Sequence, residues 1–212
     1  RVTVDGRELC GTRLDELRRQ TLWVDPAVQV WNRSLLENLR FGSEGEHRPV
    51  GDAVEAAELD EVLTRLPMGL QTPLGAGGAL LSGGEGQRVR LGRAVCRGGA
   101  RLVIFDEPFC GLERGRREAL LAAARRRWQP ATFLCITHDI AQTLDFPRVL
   151  VVNQGRIVED GPPQRLANQA GTHYARLLAA EARARARLDG PEWRHMVLDH
   201  GQLTSRAPGR GE

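Results

Sequence analysis

The sequence predicts an α/β domain: a mostly parallel sheet flanked by helices, with a helical lobe inserted beside it. Three observations lead there. Leu102–Phe105 and Thr132–Ile136 are short apolar runs without polar alternation, the pattern of strands buried on both faces. Each run ends in polar or charged residues, and a helical pattern separates the two. From about Asn32 to Gly84 the pattern turns helical and then glycine-rich, which sets that stretch apart from the sheet.

Taken in order, Arg1 to Leu9 alternates around Val2 and Val4 and reaches Asp5-Gly6, so it reads as a strand with a tight turn. Thr12 to Arg19 reads as a short helix and Thr21 to Val24 as a short buried strand, broken by Asp25-Pro26. Asn32 to Leu39 reads as helical, ending at Gly42. Val54, Ala57, Val62 and Leu66 recur near a 3.6 period, so Val50 to Leu66 is predicted as one amphipathic helix, stopped by Pro67-Met68-Gly69. Gly75 to Gly84 connects to a helix over Glu85 to Cys96, and Arg114 to Trp128 forms another. Val149–Val152 and Arg156–Val158 flank Asn153-Gln154-Gly155, a hairpin signal. His173 to Leu188 is a charged Ala/Arg helix, and Trp193, Met196, Leu198 and Leu203 around His200-Gly201 allow a second hairpin packed on the domain. The expected organisation is a core from 1–31 and 99–170, a helical lobe over 32–98, and a C-terminal helix and tail over 171–212.

Composition narrows the function. The 212 residues are 41% hydrophobic and 27% charged, as in a globular protein with a real core. No apolar run approaches the roughly 20 residues that span a bilayer, and no leader pattern suggests secretion. Cys10, Cys96, Cys110 and Cys135 form no CxxC pair, which argues against a zinc site and suits a reducing cytosol. The net charge of +3 comes from 30 arginines and no lysine, interspersed with acids, which reads as a solvated surface and not a nucleic-acid platform. The sequence starts at Arg1 and its only methionines are Met68 and Met196, so it is expected to be a piece of a longer gene product.

The chemistry lies in three places. Leu81-Ser82-Gly83-Gly84-Glu85-Gly86-Gln87-Arg88 opens a helix with paired glycines, exposing backbone N–H groups at the positive end of the helix dipole. Ser82 adds a hydroxyl; as a bare glycine turn this would be only a helix-entry loop. The Leu102–Phe105 strand then ends in Asp106 and Glu107, where α/β folds present ligand groups. Asp106 suits Mg²⁺ and Glu107 suits a base that positions an attacking water, although Asp-Glu at a strand end is often a helix cap. His138, ending the next strand, can donate to a terminal phosphate; alone it would read as a structural histidine.

Their joint order resembles the ATP-binding cassette of ABC transporters, exporter type. LSGGEGQR resembles the family's signature motif, RLVIFDEP its Walker B strand, CGLE its D-loop and CITHD its switch-histidine motif, while QGRIVEDGPP resembles the hairpin that follows. LRRQTLWVDPAVQVWNRSLLENLRFG is similar to the Q-loop region of exporters, and LPMGLQTPLGAGGALLSGG to the segment entering their signature; the likeness runs from about Arg1 to Leu166. It implies that Ser82, Gly83, Gly84 and Gln87 contact ATP held by a second cassette in a head-to-tail homo- or heterodimer. It further implies Asp106 for Mg²⁺, Glu107 as general base, His138 as γ-phosphate sensor, and Cys110, Gly111, Leu112 and Glu113 as D-loop. MgATP hydrolysis would then drive transmembrane domains, expected to be fused upstream, from the cytoplasmic side of the membrane.

The chain departs from the family in two respects. The family's phosphate loop, GxxxxGK[ST], requires a lysine, and this sequence has none, so the Walker A portion is expected to lie outside it. Pro26 stands where the family carries the Q-loop glutamine, and Ala76 where exporters usually carry glutamate. These departures keep a second reading open, a non-hydrolysing regulatory or degenerate partner that lends only its signature loop; the intact Glu107 and His138 speak against it. A DNA-associated cassette ATPase is disfavoured, since the stretch carries no coiled-coil or zinc insertion. Alone, the chain is expected to be inactive, poorly soluble and weak in ATP binding.

Overall fold

The computed structural model describes residues 2–27, 29–43, 49–188, 195–199 and 202–206. Asp5 and Gly6 both take positive φ, 51° and 73°, as a type I′ turn requires. They fold β1 (Thr3–Val4) onto β2 (Arg7–Glu8) as a short antiparallel ladder. α1 (Thr12–Arg19) follows, with Asp15 in its first turn and Arg18 and Arg19 in its last, matching its dipole.

β3 (Thr21–Val24), β4 (Leu102–Asp106) and β5 (Thr132–Ile136) form a parallel sheet in that order. Trp23 pairs with Ile104 and Ile104 with Leu134, so all three side chains point to one face. The opposite face is core: Leu22, Val24, Val103 and Phe105 are fully buried. Phe105 meets Phe109 and Trp128 edge-on, each at 5.9 Å between ring centroids, and Phe133 at 4.9 Å. On the other face Trp23 is 59% exposed, and Leu134 and Ile136 are also exposed.

The lobe is built from α2 (Leu35–Arg40), α3 (Val50–Ala56), α4 (Asp60–Arg65) and α5 (Gly83–Cys96). The single helix predicted over Val50–Leu66 is two. Leu59 N–H bonds to Val54 O (2.9 Å) and Glu58 N–H to Glu55 O (3.0 Å), a Schellman closure with Glu58 left-handed at φ 50°. Leu59 and Val62 still bury on the same core, so the apolar period continues through the break. α5 packs on α2 and α3 so closely that a Cβ on Gly92 would stand 2.7 Å from Leu39 Cδ2. α6 (Arg114–Arg127) buries Leu120, Leu121 and Ala124.

The chain divides into two compact units, Arg1–His138 and Asp139–Glu212. The second contains the hairpin of β6 (Val149–Asn153) and β7 (Arg156–Gly161), then α7 (Pro163–Asn168) and α8 (His173–Leu188). Val151, Leu166 and Tyr174 form its core, and the Glu159 carboxylate accepts the backbone N–H groups of His173 and Tyr174, capping α8. β8 (His195–Asp199) pairs antiparallel with β9 (Gln202–Arg206), giving the second hairpin. Trp193, His200 and Gly201 lie outside the described residues, as does the expected packing of that hairpin's side chains. Among the described residues no helix is long and apolar enough to cross a membrane.

Candidate functional site

The parallel register of β4 and β5 aligns Asp106 with Ile136, so the residues just beyond both strand ends meet. Glu107 N–H bonds to Ile136 O at 2.8 Å. His138 Nδ1 lies 2.6 Å from Glu107 Oε2, the imidazole 74% and the carboxylate 34% exposed. Glu107 and Phe109 both have positive φ, 44° and 63°, a strained pair of left-handed residues. Phe109 is almost wholly buried against Phe105, and that burial holds the turn in place. Asp106 is half-buried at the end of β4. Behind this turn burial pushes the Cys135 thiol up to about 12, with Glu107 and Asp106 adding to the shift.

The second element is the entrance of α5. Ser82 is its N-cap: its hydroxyl accepts Glu85 N–H at 3.3 Å and its own N–H donates to Glu85 Oε2 at 2.7 Å, a reciprocal capping box. Arg65 clamps the same carboxylate at 2.7 Å and donates to Leu80 O at 3.1 Å. Burial alone would raise the Glu85 pKa, yet the hydrogen bonds from Ser82 and Arg65 outweigh it and hold the group below the usual carboxylate range. Ser82 and Gly83 are exposed, while Gly84 is buried under Leu112. Gln87, one turn on, is buried, and its Oε1 has no hydrogen-bond partner among the described residues.

Cys110, Gly111, Leu112 and Glu113 lie between the two elements. Leu112 N–H bonds to Phe109 O at 3.1 Å, Gly111 has φ 85°, and Cys110 and Glu113 are exposed. The structure thus brings the predicted 110–113 loop onto Gly84 and pairs Glu107 with His138. Pro26 follows the end of β3, the strand paired in parallel with β4 through Val24 and Phe105. It is half-buried beyond β3, where Asp25 Oδ1 accepts Ala27 N–H at 2.7 Å.

The sequence did not single out one buried junction. Arg93 of α5 lies 4.4 Å from the Trp31 ring and 5.6 Å from that of Phe41. It donates to Asn38 O (2.9 Å), Asn38 Oδ1 (3.2 Å) and Gln29 O (3.4 Å), and burial draws its pKa down to about 10. The capping box has a local signature, Ser-x-x-Glu, that the reading of the glycine pair passed over; the arginine junction, spread over sixty-odd residues, carries no local signal.

A family model described as ABC transporter matches residues 1–110. The chain belongs to the ABC transporter family. Among curated relatives of this cassette, the ATP-dependent lipid A-core flippase of Nitrosococcus oceani is 32% identical over 185 residues, 86% of this chain and 31% of the flippase. The mitochondrial iron-sulfur clusters transporter ATM1 of Candida albicans is 30% identical over 181 residues, 84% of this chain and 24% of the transporter. A solved bacterial Atm1-family ABC exporter with ATP bound superposes with a TM-score of 0.78 at 26% identity, covering 85% of this chain and 32% of the exporter. This ABC chain therefore spans about a third or less of the proteins it matches.

Proposed function

We propose that this chain is the catalytic portion of an exporter cassette, hydrolysing MgATP in a head-to-tail dimer with a second cassette. The energy drives transmembrane domains carried elsewhere in the complete protein, from the cytoplasmic side of the membrane. One observation carries the reading: Glu107 and His138, from neighbouring strand ends, are in contact at 2.6 Å. In this role the Glu107 carboxylate takes a proton from water as the water oxygen bonds to the γ-phosphorus and ADP departs, while His138 orients that carboxylate and senses the phosphate. Ser82, Gly83 and Gly84, with Gln87 behind them, supply N–H and hydroxyl groups to the nucleotide of the partner cassette. The 110–113 loop lies at the same interface.

Asp106 fits Mg²⁺. The described residues hold no cluster of three or more His, Cys, Asp or Glu side chains able to cage a metal. The Asp106 carboxylate at the strand end would suit an ion that takes one or two carboxylates and otherwise binds water and phosphate oxygens. When bound, Mg²⁺ would neutralise charge developing on the phosphates. The proposed organisation keeps 1–31 and 99–170 as core, 32–98 as lobe and 171–212 as C-terminal segment; the β3–β4–β5 sheet supports the core as far as Ile136 and the packing of α2 and α3 on α5 supports the lobe, while 139–170 falls with α8 in the second compact unit.

Steady-state ATP turnover by the complete protein tests the proposal. Glu107→Gln should lower kcat by about 100-fold or more while ATP-induced dimerisation persists. Turnover unchanged in Glu107→Gln would sink the assignment. Pro26, at the position of the Q-loop glutamine, favours a second reading, a non-hydrolysing partner cassette. Under that reading the complete protein hydrolyses ATP only when mixed with a different, lysine-bearing cassette.

A further inference from the structure

We infer that Glu58 is a positioning residue that sets the 110–113 loop against the Ser82–Gly84 helix entrance by gripping α5 and α6 at once. The consequence for turnover rests on the function proposed above; the geometry does not. Glu58 closes α3 in a left-handed turn, and its two oxygen-bearing groups serve two different helices. Its main-chain carbonyl accepts from Arg88 Nη1, and Arg88 is a buried residue of α5. Its carboxylate accepts from Arg116 Nε at 2.5 Å, and Glu61 Oε2 adds a longer contact of 3.6 Å to Arg116 Nη2. Arg116 stands in the first turn of α6, three residues past Glu113.

The loop is therefore fixed at two points. Leu112 touches Gly84 on its apolar side, and the helix that immediately follows is tied to the lobe through Glu58. The two acids also separate like charges. The Arg88 pKa falls mainly through burial, with the positive charge of Arg116 adding to the fall; Arg116 is raised, first by its hydrogen bond to Glu58. Removing the carboxylate takes away one of the three acids, with Glu61 and Glu85, that offset the repulsion of Arg116 on Arg88. Glu58 and Arg116 are 40% and 34% exposed, so the pair adds little to global stability. Its effect lies in where α6 begins, and hence in where the preceding loop rests.

Glu58→Asn is the informative variant. Asparagine tolerates the left-handed backbone and keeps the carbonyl for Arg88, but it cannot carry a charge to Arg116. In the complete protein, alkylation of Cys110 by a maleimide, read by peptide mass spectrometry, should accelerate about two- to fivefold while alkylation of Cys10 stays unchanged. ATP turnover should fall in kcat by about the same factor, with KM for ATP altered less than about twofold. Glu58→Asp, which keeps the charge and tolerates the left-handed backbone, should stay nearer the parent in both readouts. An unchanged Cys110 rate overturns the tether, and a changed Cys110 rate with unchanged kcat overturns its role in turnover. If the parent protein does not hydrolyse ATP, the proposed function falls, and the Cys110 rate alone still decides whether Glu58 holds the loop.

Discussion

Leu112 fills the space that a side chain on Gly84 would need: a Cβ there would stand 2.5 Å from Leu112 Cδ2. A glycine in the first turn of a 14-residue helix is thus explained by its neighbour across the fold. Gly84→Ala should destabilise unit Arg1–His138 by about 1–3 kcal/mol through overpacking, despite alanine's better helix propensity. Leu112→Ala in the same chain should recover part of this, with a coupling of about 0.5–3 kcal/mol in a double-mutant cycle of urea midpoints. Strict additivity would mean that the loop and the helix entrance do not touch in solution.

Asn38 should be among the least replaceable polar residues of the lobe. It is fully buried; its amide donates to the carbonyls of Trp31, Arg33 and Ser34, and its Oδ1 accepts from Trp31 N–H and Arg93. Asn38→Ala leaves several buried groups, one of them on a guanidinium, without this partner. The loss should be about 2–4 kcal/mol, measured by urea denaturation. Trp31, freed from its stack on Phe41 and Arg93, should become more accessible to a fluorescence quencher.

The Glu85 carboxylate has a lowered pKa, so it should lend pH-dependent stability of definite sign. Its folded pKa lies below its unfolded one, so the contribution is fully present above the unfolded value of about 4.3 and is lost as pH falls through the folded value. Glu85→Gln should therefore show a shallower fall in Tm below about pH 4.5 than the parent, with a lower Tm at neutral pH. A parallel pH profile for the two proteins would show that the Ser82 and Arg65 hydrogen bonds do not persist in solution.

What the sequence disclosed followed from how local each signal is. The apolar runs at Leu102 and Thr132 and the Asp5-Gly6 turn are decided by adjacent residues, and they appear where expected. The break at Glu58 was hidden because Leu59 and Val62 keep facing the core on either side of a Schellman turn that normally advertises itself with glycine. At the site, the order Ser82, Asp106, Glu107, His138 was readable, yet the 2.6 Å contact between Glu107 and His138 depends on strand order. The Arg93 and Arg116 junctions depend on which helices meet, and no periodicity encodes that.

The open face of the β3–β4–β5 sheet makes a prediction for the 212-residue chain on its own. Trp23, Leu134 and Ile136 form an exposed apolar patch around β4, and such patches drive association when nothing covers them. The isolated chain should therefore aggregate, and Trp23→Glu with Leu134→Arg should raise the recovered monomer in size-exclusion chromatography. Nucleotide binding should not recover with solubility, because the chain contains no lysine to reach the β- and γ-phosphates. Calorimetric titration of the solubilised variant with MgATP should give a Kd well above about 1 μM, corresponding to less than about 8 kcal/mol of binding free energy. Tighter binding would mean that Ser82, Asp106, Glu107 and His138 hold a triphosphate unaided, and the division of labour between two cassettes would have to be given up.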